Sequence, residues 1–544
     1  MKGNDYLIKL ISKYLDLFGT SYRISELQLI LKSDPSFPSA LSIIKTLMYF
    51  GVTTKVYKAK LEDIKKNIKP SIIQIIEDDS LKFVILKEVA SDRVVYIDPS
   101  SNDDVEISKD IFCKKWTGII MTSDKNPALK INYPTSKKYL INNLLMPFLI
   151  IIITFLFAIT IGPQRINSIK ITYIVVLIIN SIGIYTTSVI MEHEANGFAS
   201  ISHNICNIGR YINCDKVITF KVSKIFDKIP LSYIGFVYFT TKVFVVLLSF
   251  LSGHTLSTTA ILFLLSVCSI PYIMFSFLYQ SFIIKSWCPL CITVMILLII
   301  EILSVTIIPK DLLFFGMKRY IEVDTFDVKI FLLSLYTGML LLLIFKKIIF
   351  FKTALISNEI KNLKLKRQTI SSCDTFFNKR KDNSIKSAIS IGNKKAPILI
   401  KTIINPLCKP CKQISLEIIR IMNQYPNRFL WEICFDGVSD DININVAHLR
   451  IIELCNNQNA DYLKLNIIKD WFAMQSLDIF SKKHAVKHIS ENSISILKEQ
   501  LKILDKSDIK HIPTIFINDS EFKQEYFEVK DIPFLSIDIQ TYKA

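Results

Sequence analysis

Two periodicities share the first 130 residues. Ile8–Phe18 and Ile24–Leu31 carry apolar residues at helical spacing, whereas Ser71–Ile76, Phe83–Leu86 and Val94–Ile97 alternate or run apolar as strands do. Asp98-Pro99 supplies a turn, and the whole reads as a compact α/β domain. Six long apolar stretches follow, at about 140–161, 171–191, 231–252, 258–283, 288–308 and 329–351. Most are close to the roughly 20 residues that cross a bilayer as a helix; the last relies on Lys346 and Lys347 snorkelling from its end. Residues 352–384 are polar and basic, a linker with room for one helix. The pattern then turns soluble: strand Ile398–Ile404, a helix, strand Phe429–Phe435, a long helical stretch over about 443–505, and strand Thr514–Asn518. The expected fold class is multi-domain: an α/β domain over 1–130, a polytopic α-helical membrane bundle of about six spans over 140–351, the linker 352–384, and an α/β domain over 385–544.

Composition agrees with that division. Half of the 544 residues are hydrophobic and mean hydropathy is +0.36, high for a soluble chain. The formal net charge of +18 would suggest nucleic acid in a soluble protein. Here much of it flanks apolar runs, where Lys and Arg meet anionic headgroups. With no nucleic-acid motif in the chain, membrane lipid is the expected partner. Met1–Thr20 is amphipathic, without the continuous apolar core or cleavage site of a signal peptide.

The eleven cysteines sharpen the picture, because six of them are paired along the chain: Cys288/Cys291, Cys408/Cys411 and the wider Cys206/Cys214. Cys113, Cys268, Cys373, Cys434 and Cys455 stand alone; Cys434, on a strand, and Cys268, in a span, read as packed thiols. In Trp287-Cys288-Pro289-Leu290-Cys291 the pair opens an apolar helix, where free amides and the helix dipole lower a thiol pKa. No second ligand pair lies near enough for a zinc site, and no metal is expected. Cys206 and Cys214, seven residues apart in a loop between spans, fit either a flexible redox shuttle or a plain structural disulfide. Counting crossings puts all three pairs on one face of the membrane.

The loop pair Cys206/Cys214, the run Cys214-Asp-Lys-Val217 leading to Ile229-Pro-Leu-Ser-Tyr-Ile-Gly235, and Trp287-Cys-Pro-Leu-Cys291 together resemble the vitamin K epoxide reductase family of membrane quinone reductases, over roughly 140–351. The resemblance implies that Cys288 and Cys291 reduce a quinone of menaquinone or ubiquinone type, with Cys291 nearest it. It also implies that Cys214 attacks Cys288 and that Cys206 exchanges with a thioredoxin-like partner. Six residues past the second loop cysteine, where the family usually has a serine near the quinone, this chain has Phe220; Thr219 and Ser223 are the adjacent hydroxyls. Thr219 and Phe220 are therefore the expected quinone-contacting positions.

Asn405-Pro-Leu-Cys408-Lys-Pro-Cys411 directly follows an apolar strand, and Ile512-Pro513-Thr514 precedes another. This order resembles thioredoxin-fold proteins. It implies that Cys408 is the exposed nucleophile, Cys411 the buried resolving thiol, and Pro513 the cis-proline whose loop binds substrate peptide. In residues 25–125, Pro35-Ser-Phe-Pro-Ser-Ala-Leu-Ser42, Lys82-Phe-Val-Ile-Leu86, Asp98-Pro99 and Trp116-Thr-Gly118 resemble the papain-like peptidase domain that processes bacteriocin leaders in ABC exporters. That chemistry needs a thiolate beside a histidine. Lys82 occupies the histidine position and no cysteine precedes Cys113, so the domain reads as an inactive, peptide-binding relative.

Two charges lie inside spans, Lys242 and Glu301, and fit an ion pair, a proton route or, for Lys242, snorkelling. His193 and His203 lie beside the loop cysteines; His484, His488 and His511 read as surface residues. The expected function is oxidation of thiols in exported proteins or peptides, with electrons passing through the three pairs to a membrane quinone. The alternative is a peptide export or maturation protein that binds leader peptides and oxidises one dedicated client. The expected location is a bacterial inner membrane with the cysteines facing the periplasm, because disulfides form in oxidising compartments. Counting positive charge argues the other way. Arg210, Lys216, Lys221, Lys224, Lys228, Lys346 and Lys347 flank the cysteine face, against Arg165, Lys170, Lys310, Lys318 and Arg319 opposite.

Overall fold

The computed structural model describes residues 5–60, 70–77, 80–90, 92–99, 104–125, 131–132, 168–196, 214–219, 224–225, 229–252, 255–306, 325–372, 386–436, 446–486, 488–504, 509, 511–518 and 520–541. They fall into two compact units: residues 1–99, 104–134 and 359–544 form one, and 100–103 with 135–358 the other. The apolar stretch 140–161 lies outside the described residues.

In the first unit, helix Asp5–Leu17 buries Leu7, Ile8, Leu10, Ile11, Tyr14 and Leu15, the stripe its spacing predicts. Helices Ile24–Ser33 and Ala40–Tyr49 follow, the second capped by Ser39, whose hydroxyl accepts from the Ser42 amide at 3.4 Å. Strands β1 (Val52–Lys58), β2 (Ser71–Glu77), β3 (Ser80–Val89), β4 (Arg93–Ile97), β5 (Asp104–Ser108) and β6 (Trp116–Lys125) make an antiparallel sheet in the order β1-β6-β2-β3-β4-β5. Its core gathers Ile73, Ile75, Val84, Leu86, Val94 and Phe112.

The second unit is helical. Ser168–Asn196 and Leu231–Ser252 pack closely enough that a Cβ at Gly183 would stand 2.5 Å from the Phe239 ring, so only glycine permits this approach. Between them come a short helix, Cys214–Thr219, and a two-residue ribbon of β7 (Lys224–Ile225) and β8 (Ile229–Pro230). The apolar stretch expected at 258–283 is broken into Thr255–Cys268, Ile270–Leu278 and a π-helical turn, Tyr279–Ile284. Helix Pro289–Thr306 follows, and Thr325–Ser372 begins in this unit. Four of the described helices are long and apolar enough to cross a membrane, and Pro289–Ser304 is a shorter apolar one. Leu303, Leu332, Tyr336 and Leu343 are exposed, as side chains facing lipid are. Ser and Thr hydroxyls within the spans turn back onto their own helices, as Thr187 does to the Gly183 carbonyl at 2.8 Å. This is a membrane protein.

Helix Thr325–Ser372 continues into the stretch read as a linker. Beyond it, β9 (Ile389–Gly392), β10 (Ile398–Ile404), β11 (Phe429–Phe435), β12 (Thr514–Ile517) and β13 (Ser520–Glu521) order as β13-β12-β10-β11-β9. The parallel β10/β11 pair is joined by helix Lys409–Gln424, and β12 runs antiparallel to β10. The helical stretch expected over 443–505 is four helices: Val446–Asn456, Asp461–Met474, Leu477–Lys483 and Glu491–Leu504. A strand–helix–strand unit with antiparallel flanks and a helical insertion is the thioredoxin-like arrangement.

Both folded parts of the first unit meet at Arg367. Its Nη2 donates to Asp34 Oδ2 at 2.7 Å, its Nε to Asp538 Oδ2 at 2.7 Å, and its Nη1 to the Ile30 carbonyl at 2.9 Å. All three residues are buried. Nearby, the Arg428 guanidinium stacks 4.6 Å from the Tyr49 ring, and the Tyr49 and Tyr425 hydroxyls meet at 2.7 Å and share Glu26. Removing the guanidinium leaves two buried carboxylates to share one cation, Lys45, at 2.8 Å from Asp538 and 3.9 Å from Asp34. Arg367→Met should destabilise the first unit by about 3–5 kcal/mol, measured by denaturant unfolding of the solubilised protein with a fluorescence probe in residues 386–541.

Candidate active site

The Cys288/Cys291 pair sits where one helix stops and another starts. Lys285, at φ 53°, turns the chain out of the π-helical turn, and Pro289 opens the next helix at a position where its missing amide hydrogen costs nothing. The Cys288 amide donates to Gln280 Oε1 at 2.9 Å, and the Cys291 amide points at Cys288 Sγ at 3.4 Å. The sulfur therefore takes the N-cap place, accepting from an amide of the first helical turn. Cys288 is fully buried and Cys291 partly so.

Cys288 packs in one apolar cluster with Cys214, Val217, Ile218 and Phe239, and Cys291 lies against it. Cys214 is disulfide-bonded, and its partner lies outside the described residues, as do Cys206 and Phe220. Thr219 ends the short Cys214–Thr219 helix. A cavity of about 230 Å³ opens beside this cluster, lined by Cys291, Tyr238, Tyr272, Gln280, Glu194 and Ser232 among mainly apolar neighbours. It exceeds the roughly 150 Å³ that admits a benzene ring, and a few polar groups on an apolar wall are what orient a bound ring. Ser232 Oγ donates to Glu194 Oε2 at 2.6 Å on its rim.

Cys268 reads from sequence as packed, but it is exposed and lines this cavity: the break at Ser269 turns its side of the helix toward the opening. Lys242 does not snorkel; it pairs with Glu301 at 2.9 Å, fully buried. Tyr238, Gln280 and Glu194 were not singled out by sequence. A glutamine inside an apolar run was a readable signal, as was a tyrosine one turn before Lys242 on the same helix face. His193 is buried, and His203 lies outside the described residues.

In the thioredoxin-like part, Cys408 is the N-cap of Lys409–Gln424, half-buried, with Pro410 in the first turn. Cys411 is buried one turn later, and burial pushes its thiol up to about 12. The Asn405 amide approaches Cys411 Sγ at 3.4 Å, and Trp471 Nε1 anchors the loop by donating to the Pro406 carbonyl at 2.9 Å. Leu407, beside Cys408, is 62% exposed. The Ile512–Pro513 bond is cis, and Thr514 pairs with Ile403 in register, which sets Pro513 beside the end of β10 that leads to Cys408. Cys434 is packed, as read from sequence, and Cys455 is buried likewise; burial raises both thiols to about 12. His484 is partly buried against Asp470 at 2.9 Å, whereas His488 and His511 are exposed. Buried His448, edge-on to Phe435, was not anticipated; burial lowers its pKa, which makes it a packed neutral ring.

The papain-like part has no catalytic pair among its described residues. Lys82 Nζ donates to Asp98 Oδ2 at 2.7 Å and Glu77 Oε2 at 2.9 Å. Burial acts to lower the Lys82 pKa, but the two carboxylates outweigh it and hold the ammonium charged, so Lys82 cannot serve as a base. Cys113, on helix Lys109–Lys115, is exposed. No group of three or more metal-ligating side chains occurs among the described residues.

Comparison with known proteins agrees with this division. Residues 174–306 match the vitamin K epoxide reductase family, and residues 1–128 the Peptidase C39 family. Among solved structures, the peptidase domain of Streptococcus ComA, a bi-functional ABC transporter, is 20% identical, with 23% of this chain covering 95% of it at a TM-score of 0.21. Proteus mirabilis ScsC is 14% identical (37% of this chain, 94% of that one, TM-score 0.26). Bacillus subtilis BdbD is 16% identical (28% and 92%, TM-score 0.23). Among curated proteins none matches the chain. One region of the chain is thus similar to the vitamin K epoxide reductase family and another to the Peptidase C39 family, and with two Cys-x-x-Cys pairs at helix starts the chain is a membrane thiol–disulfide oxidoreductase.

The contrast between Cys408 and Cys411 is directly measurable. In the reduced protein near pH 8, iodoacetamide should modify Cys408 well before Cys411, and Cys411 should gain reactivity only as pH climbs toward about 12. Peptide mass spectrometry of the alkylated protein reads both positions.

Proposed function

We propose that this enzyme oxidises thiols of exported proteins or peptides and passes the electrons to a membrane quinone. The observation that carries the reading is that Cys214 and Cys288 belong to one apolar cluster, beside a cavity lined by Cys291. A client dithiol is oxidised by the Cys408–Cys411 disulfide, which becomes a dithiol. The Cys206–Cys214 disulfide reoxidises that dithiol and is in turn reoxidised by Cys288–Cys291. Each exchange is attack of a thiolate on a disulfide through a mixed disulfide, moving two electrons and two protons. A quinone, of menaquinone or ubiquinone type, supplies a two-electron, two-proton acceptor for the Cys288/Cys291 dithiol. Cys291 and the polar residues of the cavity hold it; Thr219 and Phe220 are adjoining candidates on the same chain segment as Cys214. Pro513 and exposed Leu407 receive the client chain beside Cys408. The cysteine face looks into the periplasm of a bacterial inner membrane, and modification of Cys408 by a membrane-impermeant thiol reagent in intact cells tests that orientation.

A second reading gives the amino-terminal domain its own task. The charged Lys82 in place of a catalytic histidine, and the buried Arg367 that joins this domain to the thioredoxin-like one, favour a leader-peptide adaptor held to the oxidising domain. Deleting residues 1–130 should then abolish oxidation of a leader-bearing peptide, whereas a general oxidase would act unchanged on any reduced protein.

For the relay itself, Cys214→Ser in the purified full-length protein should permit a single stoichiometric oxidation of a reduced peptide and then stop, with no quinone consumed. Continued turnover would refute the relay, and absence of quinone consumption by the unmutated protein would refute the quinone assignment.

A further inference from the structure

Lys242 and Glu301 form an ion pair in the membrane unit at 0% and 1% side-chain exposure. A buried pair repays its desolvation only if the surrounding donors and acceptors are matched. An ammonium has three protons, and Lys242 Nζ has three acceptors: Glu301 Oε1 at 2.9 Å, Ser266 Oγ at 2.8 Å and the Tyr238 hydroxyl at 2.6 Å. Ser266 sends its own proton to the Leu262 carbonyl at 2.8 Å. Asn180 Nδ2 divides its two between Glu301 Oε1 and the Val176 carbonyl, both at 2.8 Å.

That leaves the proton of Tyr238. Its oxygen accepts from Lys242 and lies beside the Ser266 and Ser269 hydroxyls, while its own hydrogen meets the Leu265 carbonyl at 3.3 Å and Glu301 Oε2 at 3.4 Å, both long. A well-formed hydroxyl bond is near 2.7–2.8 Å. Within this network, then, the phenol hydrogen is the weakly committed one. Tyr238 also lines the cavity that Cys291 lines.

We propose that Tyr238 donates a hydrogen bond to a carbonyl oxygen of the quinone held in this cavity, and that Lys242 and Glu301 are positioning residues that keep the phenol aimed. This rests on the quinone reading above. The ammonium on the phenol oxygen polarises the O–H bond and makes it a better donor. In a site walled from water, a donor fixed in advance favours the oxygen that gains negative charge. The two charges inside the spans thereby acquire a use: they turn an ordinary tyrosine into an oriented donor.

The test uses menadione as the probe with purified full-length protein, Tyr238→Phe and the double variant Lys242→Met/Glu301→Gln. Infrared difference spectra of bound menadione should show a carbonyl band displaced to lower frequency in the unmutated protein. Tyr238→Phe should bind menadione without that displacement and reduce it on the order of 100-fold more slowly, chiefly in kcat. The double variant, which keeps the phenol but frees it, should give a broadened, intermediate band, and it decides the matter if Tyr238→Phe fails to fold. An unchanged band and rate in Tyr238→Phe, or an unchanged band in the double variant, overturns the proposal alone. Failure of the unmutated protein to bind or reduce menadione overturns the quinone reading with it.

Discussion

Burying Arg367 obliges the chain to bring Asp34 and Asp538, separated by about 500 residues, to one guanidinium. The cost of desolvating a cation is recovered only when its planar fork meets carboxylates and carbonyls in the geometry they require. The helix that delivers Arg367, the amino-terminal domain and the last helix of the chain are thus held in one arrangement. Lys45 reinforces it, reaching Asp538 Oδ1 at 2.8 Å. The result is that the papain-like and thioredoxin-like parts form one compact unit.

The same rule governs the membrane unit. Lys242 and Glu301 persist among apolar helices because all three protons of the ammonium meet acceptors, Glu301, Ser266 and Tyr238. The short polar side chains of the spans fold back on their own carbonyls for the same reason. Against this satisfied background the cysteine cluster stands out. Cys288 has the Cys291 amide at its sulfur, Cys214 in its apolar cluster, and a cavity one helical turn away at Cys291. Thiol exchange needs close approach of sulfurs in a place water reaches poorly, and apolar packing provides it.

Electrostatics also sets the state of Lys82 in the amino-terminal domain. Clasped by Asp98 and Glu77, it holds a permanent cation. The sheet does not depend on it, since its core is built from Ile73, Val84 and Leu86.

Local pattern was enough to read the strands Ile398–Ile404 and Phe429–Phe435, most of the apolar helices and the two Cys-x-x-Cys helix starts, because period and capping act between near neighbours in the chain. It could not split the 443–505 stretch into four helices or foresee the break that bares Cys268, since those depend on what each helix packs against. Nor could it choose among the readings of Lys242, or find Tyr238 and Gln280. Which residues of two helices meet is set by their rotation and crossing, and these come from side-chain packing such as Gly183 beneath Phe239. The sequence named the sulfurs; only the tertiary structure decided that Cys214 and Cys288 share one apolar cluster and that Tyr238 lines the cavity of Cys291.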